Sequence, residues 1–258
     1  MKALYTVSLM ASVIALLAIS GPAHASKTDD RIESSAKKSY VFKTYLQADD
    51  ISIQSKDGAV TLTGVVSEEY HKALAQDTVA GLPGVTTVDN RLELKGAPPT
   101  ANSDAWLASK VKATLLFHRS VSAATTEVDV KDGIVTLRGT AANQAQKELT
   151  TEYTKDVAGA KEVKNDMVVS SPQKKVRTVG DKIDDSSITA LVKMTLLYHS
   201  STSALNTTVT TKRGVVTLTG KAKNSAELNL ATKLASDVNG VNRVTNRMVI
   251  EYAGGVEP

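Results

Sequence analysis

The side chains able to do chemistry in this chain of 258 residues are few and scattered. There is no cysteine. Thiolate catalysis, disulfide scaffolds, Cys-ligated zinc, iron–sulfur clusters and a lipidated N-terminal Cys are therefore excluded. The histidines are His24, His71, His118 and His199, and they form no cluster with metal-ligand spacing. No metal site is expected from them. The carboxylate pairs Asp49-Asp50 and Glu68-Glu69 each stand alone and read as solvated surface rather than as an acid/base couple. No G-x-G-x-x-G or Walker pattern is present, and no Ser sits in a nucleophile elbow. The expectation is a non-enzymatic protein without cofactor.

The elements that must position these residues recur. Gly58-Ala59-Val60-Thr61-Leu62-Thr63-Gly64 returns as Gly133-Ile134-Val135-Thr136-Leu137-Arg138-Gly139 and as Gly214-Val215-Val216-Thr217-Leu218-Thr219-Gly220. Gly84, Gly159 and Gly240 follow the second Gly at equal spacing, as do Asn90, Asn165 and Asn246. An Asp precedes each hairpin at equal spacing: Asp29, Asp104 and Asp185. Three blocks, 29–94, 104–169 and 185–250, therefore align without a gap. Each block is near the lower size limit for an independent core, so contacts between blocks are expected.

Within a block the hydrophobic period changes. Each Asp reads as a helix N-cap. Ile32/Ala36/Tyr40, Leu107/Val111/Leu115 and Ile188/Val192/Leu196 then mark an amphipathic helix. A strand follows with Ile53, Val128 or Val209 inward. A tight reversal at Lys-Asp-Gly, or Lys-Arg-Gly in the third copy, leads into the Val-x-Leu strand. A second helix is predicted on Tyr70/Leu74/Thr78/Leu82, Ala145/Leu149/Tyr153/Val157 and Ala226/Leu230/Leu234/Val238. A last strand alternates Val88/Asn90/Leu92/Leu94 against Asp89, Arg91 and Glu93. The fold class is α+β: three tandem small α-β-β-α-β domains, each a mixed three-stranded sheet with two helices on one face.

This pattern resembles the BON domain (bacterial OsmY and nodulation). The resemblance rests on Asp57-Gly58-Ala59-Val60-Thr61-Leu62-Thr63-Gly64 with Gly84-Val85-Thr86-Thr87-Val88-Asp89-Asn90, and on the matching second and third copies. Ala160 replaces the Val of the G-V step in the second copy, and Arg213 replaces the hairpin Asp in the third. The hairpin Gly is expected to carry the turn regardless. The resemblance implies a periplasmic, stress-induced envelope component that binds rather than catalyses. Its partners would be anionic phospholipid or exported envelope proteins.

Charge and one aromatic suggest where such binding would occur. Residues 1–25 read as a secretory signal peptide: Lys2, an apolar run from Leu4 to Ile19, Gly21-Pro22, then Ala23-His24-Ala25 before the cut. Periplasmic localisation and a peripheral rather than transmembrane association follow as expectations. Block one holds 7 basic against 11 acidic residues, block two 9 against 9, and block three 8 against 3. The chain thus runs from acidic to basic. The basic last block and the linker residues Lys174, Lys175 and Arg177 suit a polyanionic surface, with Arg243 and Arg247 as further contacts. The same gradient equally suits packing of block one against block three, or solubility alone. Nucleic acid is not expected as a partner of an exported chain, and aromatics at 4% argue against base-stacking platforms. Trp106, the single tryptophan, occupies a column held by Arg31 and Ser187, one turn before Lys110. It reads either as an interfacial anchor or as a packing residue between blocks. The leading expectation is adhesion to anionic phospholipid surfaces. The alternative is a periplasmic chaperone or protein-interaction module.

Overall fold

The computed structural model describes residues 27–97, 99–121, 123–170, 182–202 and 206–251; the expected signal peptide and the basic linker residues Lys174, Lys175 and Arg177 lie outside them. Domain 1 comprises α1 (Lys27–Lys38), α2 (Tyr40–Thr44), β1 (Asp50–Lys56), β2 (Ala59–Val66), α3 (Glu69–Ala80) and β3 (Thr87–Leu94). Domain 2 comprises α4 (Asp104–Phe117), β4 (Thr126–Lys131), β5 (Ile134–Ala141), α5 (Gln144–Lys155), β6 (Glu162–Asn165) and β7 (Val168–Val169). Domain 3 comprises α6 (Asp185–Tyr198), β8 (Thr207–Lys212), β9 (Val215–Ala222), α7 (Ser225–Asp237) and β10 (Arg243–Ile250). In each sheet the Val-x-Leu strand is central. It pairs antiparallel with the strand before it and parallel with the last strand. The helix crossover makes the parallel pairing possible.

The repeated residues explain the shared architecture. The expected role of Asp29, Asp104 and Asp185 as N-caps is corrected. Ser103 and Asp184 cap α4 and α6, accepting from Trp106 N and Ser187 N. Asp104 and Asp185 sit one residue further in, Asp29 is the third residue of α1, and each reaches across to the hairpin. Asp29 accepts from Asp57 N at 3.1 Å and Gly58 N at 3.0 Å. Asp104 and Asp185 do the same for Asp132/Gly133 and Arg213/Gly214. The first helix is thus tied to the first hairpin by charge-assisted hydrogen bonds. The repeated Asn binds the last strand to the second helix. Asn90, Asn165 and Asn246 donate to Lys72 O, Lys147 O and Leu228 O, and each side-chain oxygen accepts from the backbone two residues on.

Both hairpin residues lie in the left-handed region, at φ +53° and +80° for Asp57 and Gly58 and +53° and +73° for Arg213 and Gly214. This is the type I′ geometry, which favours Asn or Asp first and Gly second. The Arg213 departure is therefore not neutral, contrary to expectation: a long side chain occupies a conformation that suits Asp. At Gly139, an added Cβ would stand 1.9 Å from Thr125 O, in the turn that leads into the neighbouring strand β4. That close backbone approach accounts for the repeated second Gly.

Two helix readings also change. The first helix of domain 1 breaks at Ser39, whose Oγ donates to Ala36 O and accepts from Phe42 N, starting α2 afresh. In the second helices of domains 2 and 3, the C-terminal part of the expected stripe is buried at Val157, Leu234 and Val238, but its N-terminal part is not, and the neighbouring positions are buried too. Ala145, Ala226 and Leu149 are exposed, whereas Thr150, Thr154, Ala231 and Ala235 are buried. In domain 1, Leu74 and Ala75 are both buried, because α3 packs on its own sheet and on α6 together.

Packing merges the three domains. Domains 1 and 3 share one hydrophobic core, which also takes Ala113 and Phe117 of domain 2, while the rest of domain 2 keeps its own core. Helix α6 contacts α3, α4 and α7 and is buried almost all round. Two features dock domain 1 on domain 3. The break at Ser39 leaves Tyr40 N and Val41 N to donate to Asp184 Oδ2 and Ser187 Oγ, and Lys193 pairs with Asp77 at 3.0 Å. Domains 2 and 3 meet reciprocally. His118, after α4, forms a β-bridge with Val238, and His199, after α6, forms one with Val157. Arg119 N donates to Asp237 O and Ser200 N to Asp156 O, both at 2.9 Å.

Candidate functional site

The histidines and carboxylates act as structural partners. His71 Nδ1 lies 2.6 Å from Asp49 Oδ2, and both side chains are buried. Asp49 also accepts from Ser67 N and Ser67 Oγ. The expectation that the Asp49-Asp50 and Glu68-Glu69 pairs are solvated surface is therefore corrected: Asp49 is buried in a polar cluster, and Glu68 accepts from Ser109 of domain 2. His118 Nδ1 stands 3.2 Å from Asp237 Oδ2 and His199 Nε2 stands 3.0 Å from Asp156 Oδ2, each pair spanning domains 2 and 3. In domain 1 the corresponding positions hold Lys43 and Gly81, so that domain lacks both halves of the pair. Burial opposes ionisation of Asp237. Hydrogen bonds from His118, Ser120 and Tyr153 outweigh it and lower the pKa of its carboxyl group. Among the described residues no group of His, Asp and Glu could hold a metal ion.

The remaining candidate residues fall in two separate places. Trp106 and Lys110 lie one turn apart on α4, with Lys110 Nζ 3.6 Å from the Trp106 ring centroid and 5.4 Å from that of Tyr198. They line a cavity of ≈290 Å³ with Glu69 and Tyr70 of domain 1, Ser109 of domain 2, and Leu197 and Tyr198 of domain 3. Trp106 is half-buried. Burial lowers the pKa of Lys110. The same cause pushes the phenols of Tyr70 and Tyr198 up.

Arg243 and Arg247 are elsewhere, on the edge strand β10, with their side chains exposed on the sheet face away from the helices. The strand registers put them beside two lysines that sequence reasoning passed over. Arg243 aligns with Val215 and Lys212, Arg247 with Thr219 and Thr208, and Val249 with Lys221. Thr210, Thr217 and Thr245 fill the row between. The outer face of the domain 3 sheet thus carries Lys212, Lys221, Arg243 and Arg247 among threonines, with no acidic residue on its three strands. Glu251, just past β10, pairs with Lys221 at its margin. The equivalent face of domain 1 carries Asp50, Asp89 and Glu93 beside Lys56 and Arg91. That of domain 2 carries Glu127, Asp129 and Glu162 beside Lys131, Arg138 and Lys164. Part of the signal was available in the sequence, since these lysines and arginines share the outward parity of their strands, but the register that groups them was not.

Comparison with known proteins gives four findings. The family described as "BON domain" matches residues 28–96, 103–171 and 184–252. The osmotically-inducible protein Y of Escherichia coli (strain K12) is 32% identical over 143 residues, covering 54% of this chain and 71% of that protein. An uncharacterized protein from Anaplasma centrale, named for the gshII 5′ region, is 27% identical over 150 residues, covering 58% of this chain and 96% of that protein. Among solved structures, CdsD, a structural protein of the type III secretion system of Chlamydia trachomatis, is 16% identical, covering 83% of this chain and 91% of that chain. Its TM-score of 0.25 carries no argument.

Proposed function

This chain belongs to the BON domain family, and on that premise we propose that it is a non-enzymatic envelope protein of the osmotic-stress response. It acts in the periplasm, delivered by the N-terminal segment that reads as a signal peptide. There it adheres to anionic phospholipid through the outer sheet face of domain 3. The likeness to an osmotically inducible protein supports the stress setting.

The observation that carries the binding reading is the charge sorting between three copies of one scaffold. The same outward positions are mixed in domains 1 and 2 and free of acidic residues in domain 3. A flat, threonine-lined cationic face suits many shallow contacts with phosphate groups better than a single deep site. Each Lys or Arg near an anionic surface is worth about 1 kcal/mol, weakened by salt. No helix among the described residues is long and apolar enough to cross a membrane, so the proposed association is at the surface.

Co-sedimentation with vesicles tests this. The chain without residues 1–25 pellets with vesicles containing phosphatidylglycerol, not with phosphatidylcholine alone, and salt releases it. Replacing Arg243 and Arg247 together by Gln removes two cations and weakens binding about 30-fold. Absence of binding to either vesicle overturns the reading. It would turn attention to protein partners, where holding of unfolded polypeptide would be salt-insensitive.

A further inference from the structure

The cavity where the three domains meet contains groups that the fold leaves unsatisfied. Its wall is aromatic, built from Tyr70, Trp106 and Tyr198, one ring from each domain. Leu197 stands at its rim, 48% exposed. The Lys110 ammonium lies over two of these rings and has neither a carboxylate nor a hydrogen-bond partner among the described residues. Burial strips it of part of its water and lowers its pKa. Across the same cavity, Glu69 keeps a side chain 43% exposed: its Oε2 is turned inward without a hydrogen-bond donor, and Oε1 makes only a 3.7 Å contact with Lys72. The Glu69 charge is felt in the cavity, since it helps to raise the pKa of Tyr198, after burial and Tyr70.

Lys110 and Glu69 face one space without meeting each other. A half-buried cation without an anion is costly, and the Glu69 side chain, 43% exposed, leaves its carboxylate open to the same space. A ligand carrying both charges would satisfy both. Aromatic faces also attract an ammonium group directly. The volume of ≈290 Å³ sits at the small end for small-molecule sites, enough for a headgroup-sized solute.

We propose that this three-domain cavity binds a small zwitterion, with its anionic group at Lys110 and its ammonium group at Glu69 among the rings of Tyr70, Trp106 and Tyr198. The site is separate from the cationic sheet face of domain 3, and it exists only when the three domains are docked. Ethanolamine phosphate is the simplest probe of this chemistry. It occurs both as a free solute and as a lipid headgroup.

Trp106 is the single tryptophan, so its emission, excited where tyrosine does not absorb, follows a side chain that lines this cavity. The Lys110 and Glu69 variants below assign the change to the cavity rather than to the groove by Gly159 and Lys161 that Trp106 also borders. Titration of the chain without residues 1–25 with O-phosphoethanolamine gives a saturable change in Trp106 emission. Inorganic phosphate and ethanolamine, each carrying half of the recognition, give at least about tenfold weaker responses. Lys110→Met and Glu69→Gln each weaken the O-phosphoethanolamine response about tenfold, with unchanged circular dichroism. The Arg243→Gln/Arg247→Gln variant responds as the unaltered chain does, which separates this site from the sheet face. Saturation by phosphatidylethanolamine in phosphatidylcholine vesicles, with no response to the free compound, supports the zwitterion site and assigns its source to lipid. Response to neither form overturns the proposal. So does an equal response to phosphate alone, or an undiminished response in both cavity variants.

Discussion

The hairpin shows at single-residue resolution how one scaffold tolerates unequal sequences. Asp57, Asp132 and Arg213 occupy the same left-handed position, at φ +53°, +55° and +53°. Asn and Asp enter this region readily because a short polar side chain can satisfy nearby backbone groups. Arg gains nothing there, yet Arg213 N is still held by Asp185 Oδ2 at 2.6 Å. Arg213→Asn is therefore expected to stabilise domain 3 by roughly 0.5–1 kcal/mol, read as a higher urea midpoint with unchanged slope. The turn signal itself was legible, since Asp-Gly between alternating apolar runs marks a hairpin. The role of the repeated Asp was not. Its place at the helix start suggested a cap, and only the approach of the hairpin shows that it holds the turn amides instead.

At the scale of elements, the central strand of each domain tolerates little because backbone meets backbone there. Gly139 in β5 has φ +111°, and a Cβ would overlap Thr125 O at 1.9 Å. Backbone cannot swing aside as a side chain would. Gly139→Ala is expected to cost roughly 3 kcal/mol or more, with loss of the near-ultraviolet signal of domain 2. The second helices show where periodicity misleads. In α5 the apolar residues Ala145 and Leu149 are exposed while Thr150 and Thr154 are buried. Those threonines donate to Gln146 O and Thr150 O, which satisfies their hydroxyls within the helix. A buried Thr with that bond behaves as a small apolar residue, and a hydropathy pattern does not register it. The cationic face on β8, β9 and β10 was only half visible for a related reason. Arg243 and Arg247 stand out on one strand, but Lys212 and Lys221 join them only through cross-strand register.

At the scale of the whole molecule, docking of the domains depends on ionised carboxylates. Asp237 joins domain 3 to Tyr153, Ser120 and His118 of domain 2. Asp184 joins domain 3 to Tyr40 N of domain 1. Burial works against both anions, and hydrogen bonds more than offset it, so both carboxyls titrate below their ordinary range. A depressed folded pKa contributes stability that is present above the unfolded value and is lost as pH falls through the folded value. The urea midpoint is therefore expected to hold near neutral pH and fall below the ordinary carboxylate range. Asp237→Asn should be less stable at pH 7 and show a shallower acid fall. An identical acid profile in that variant would assign the fall to other carboxylates.

The repeat itself, the α-β-β-α-β order, the inward strand positions and the acidic-to-basic gradient were all determined by the sequence alone. Each depends on short-range periodicity or on spacing between copies of one unit. The tertiary structure alone decided how the copies dock. The break at Ser39 exposes two backbone donors that domain 3 accepts, and His118 and His199 are placed opposite aspartates of the other domain. Such pairings join residues more than a hundred positions apart or on different repeats, so no local pattern in the sequence encodes them. For the same reason Trp106, conspicuous in the sequence as a lone aromatic, acquired its surroundings only when Tyr70 and Tyr198 closed around it.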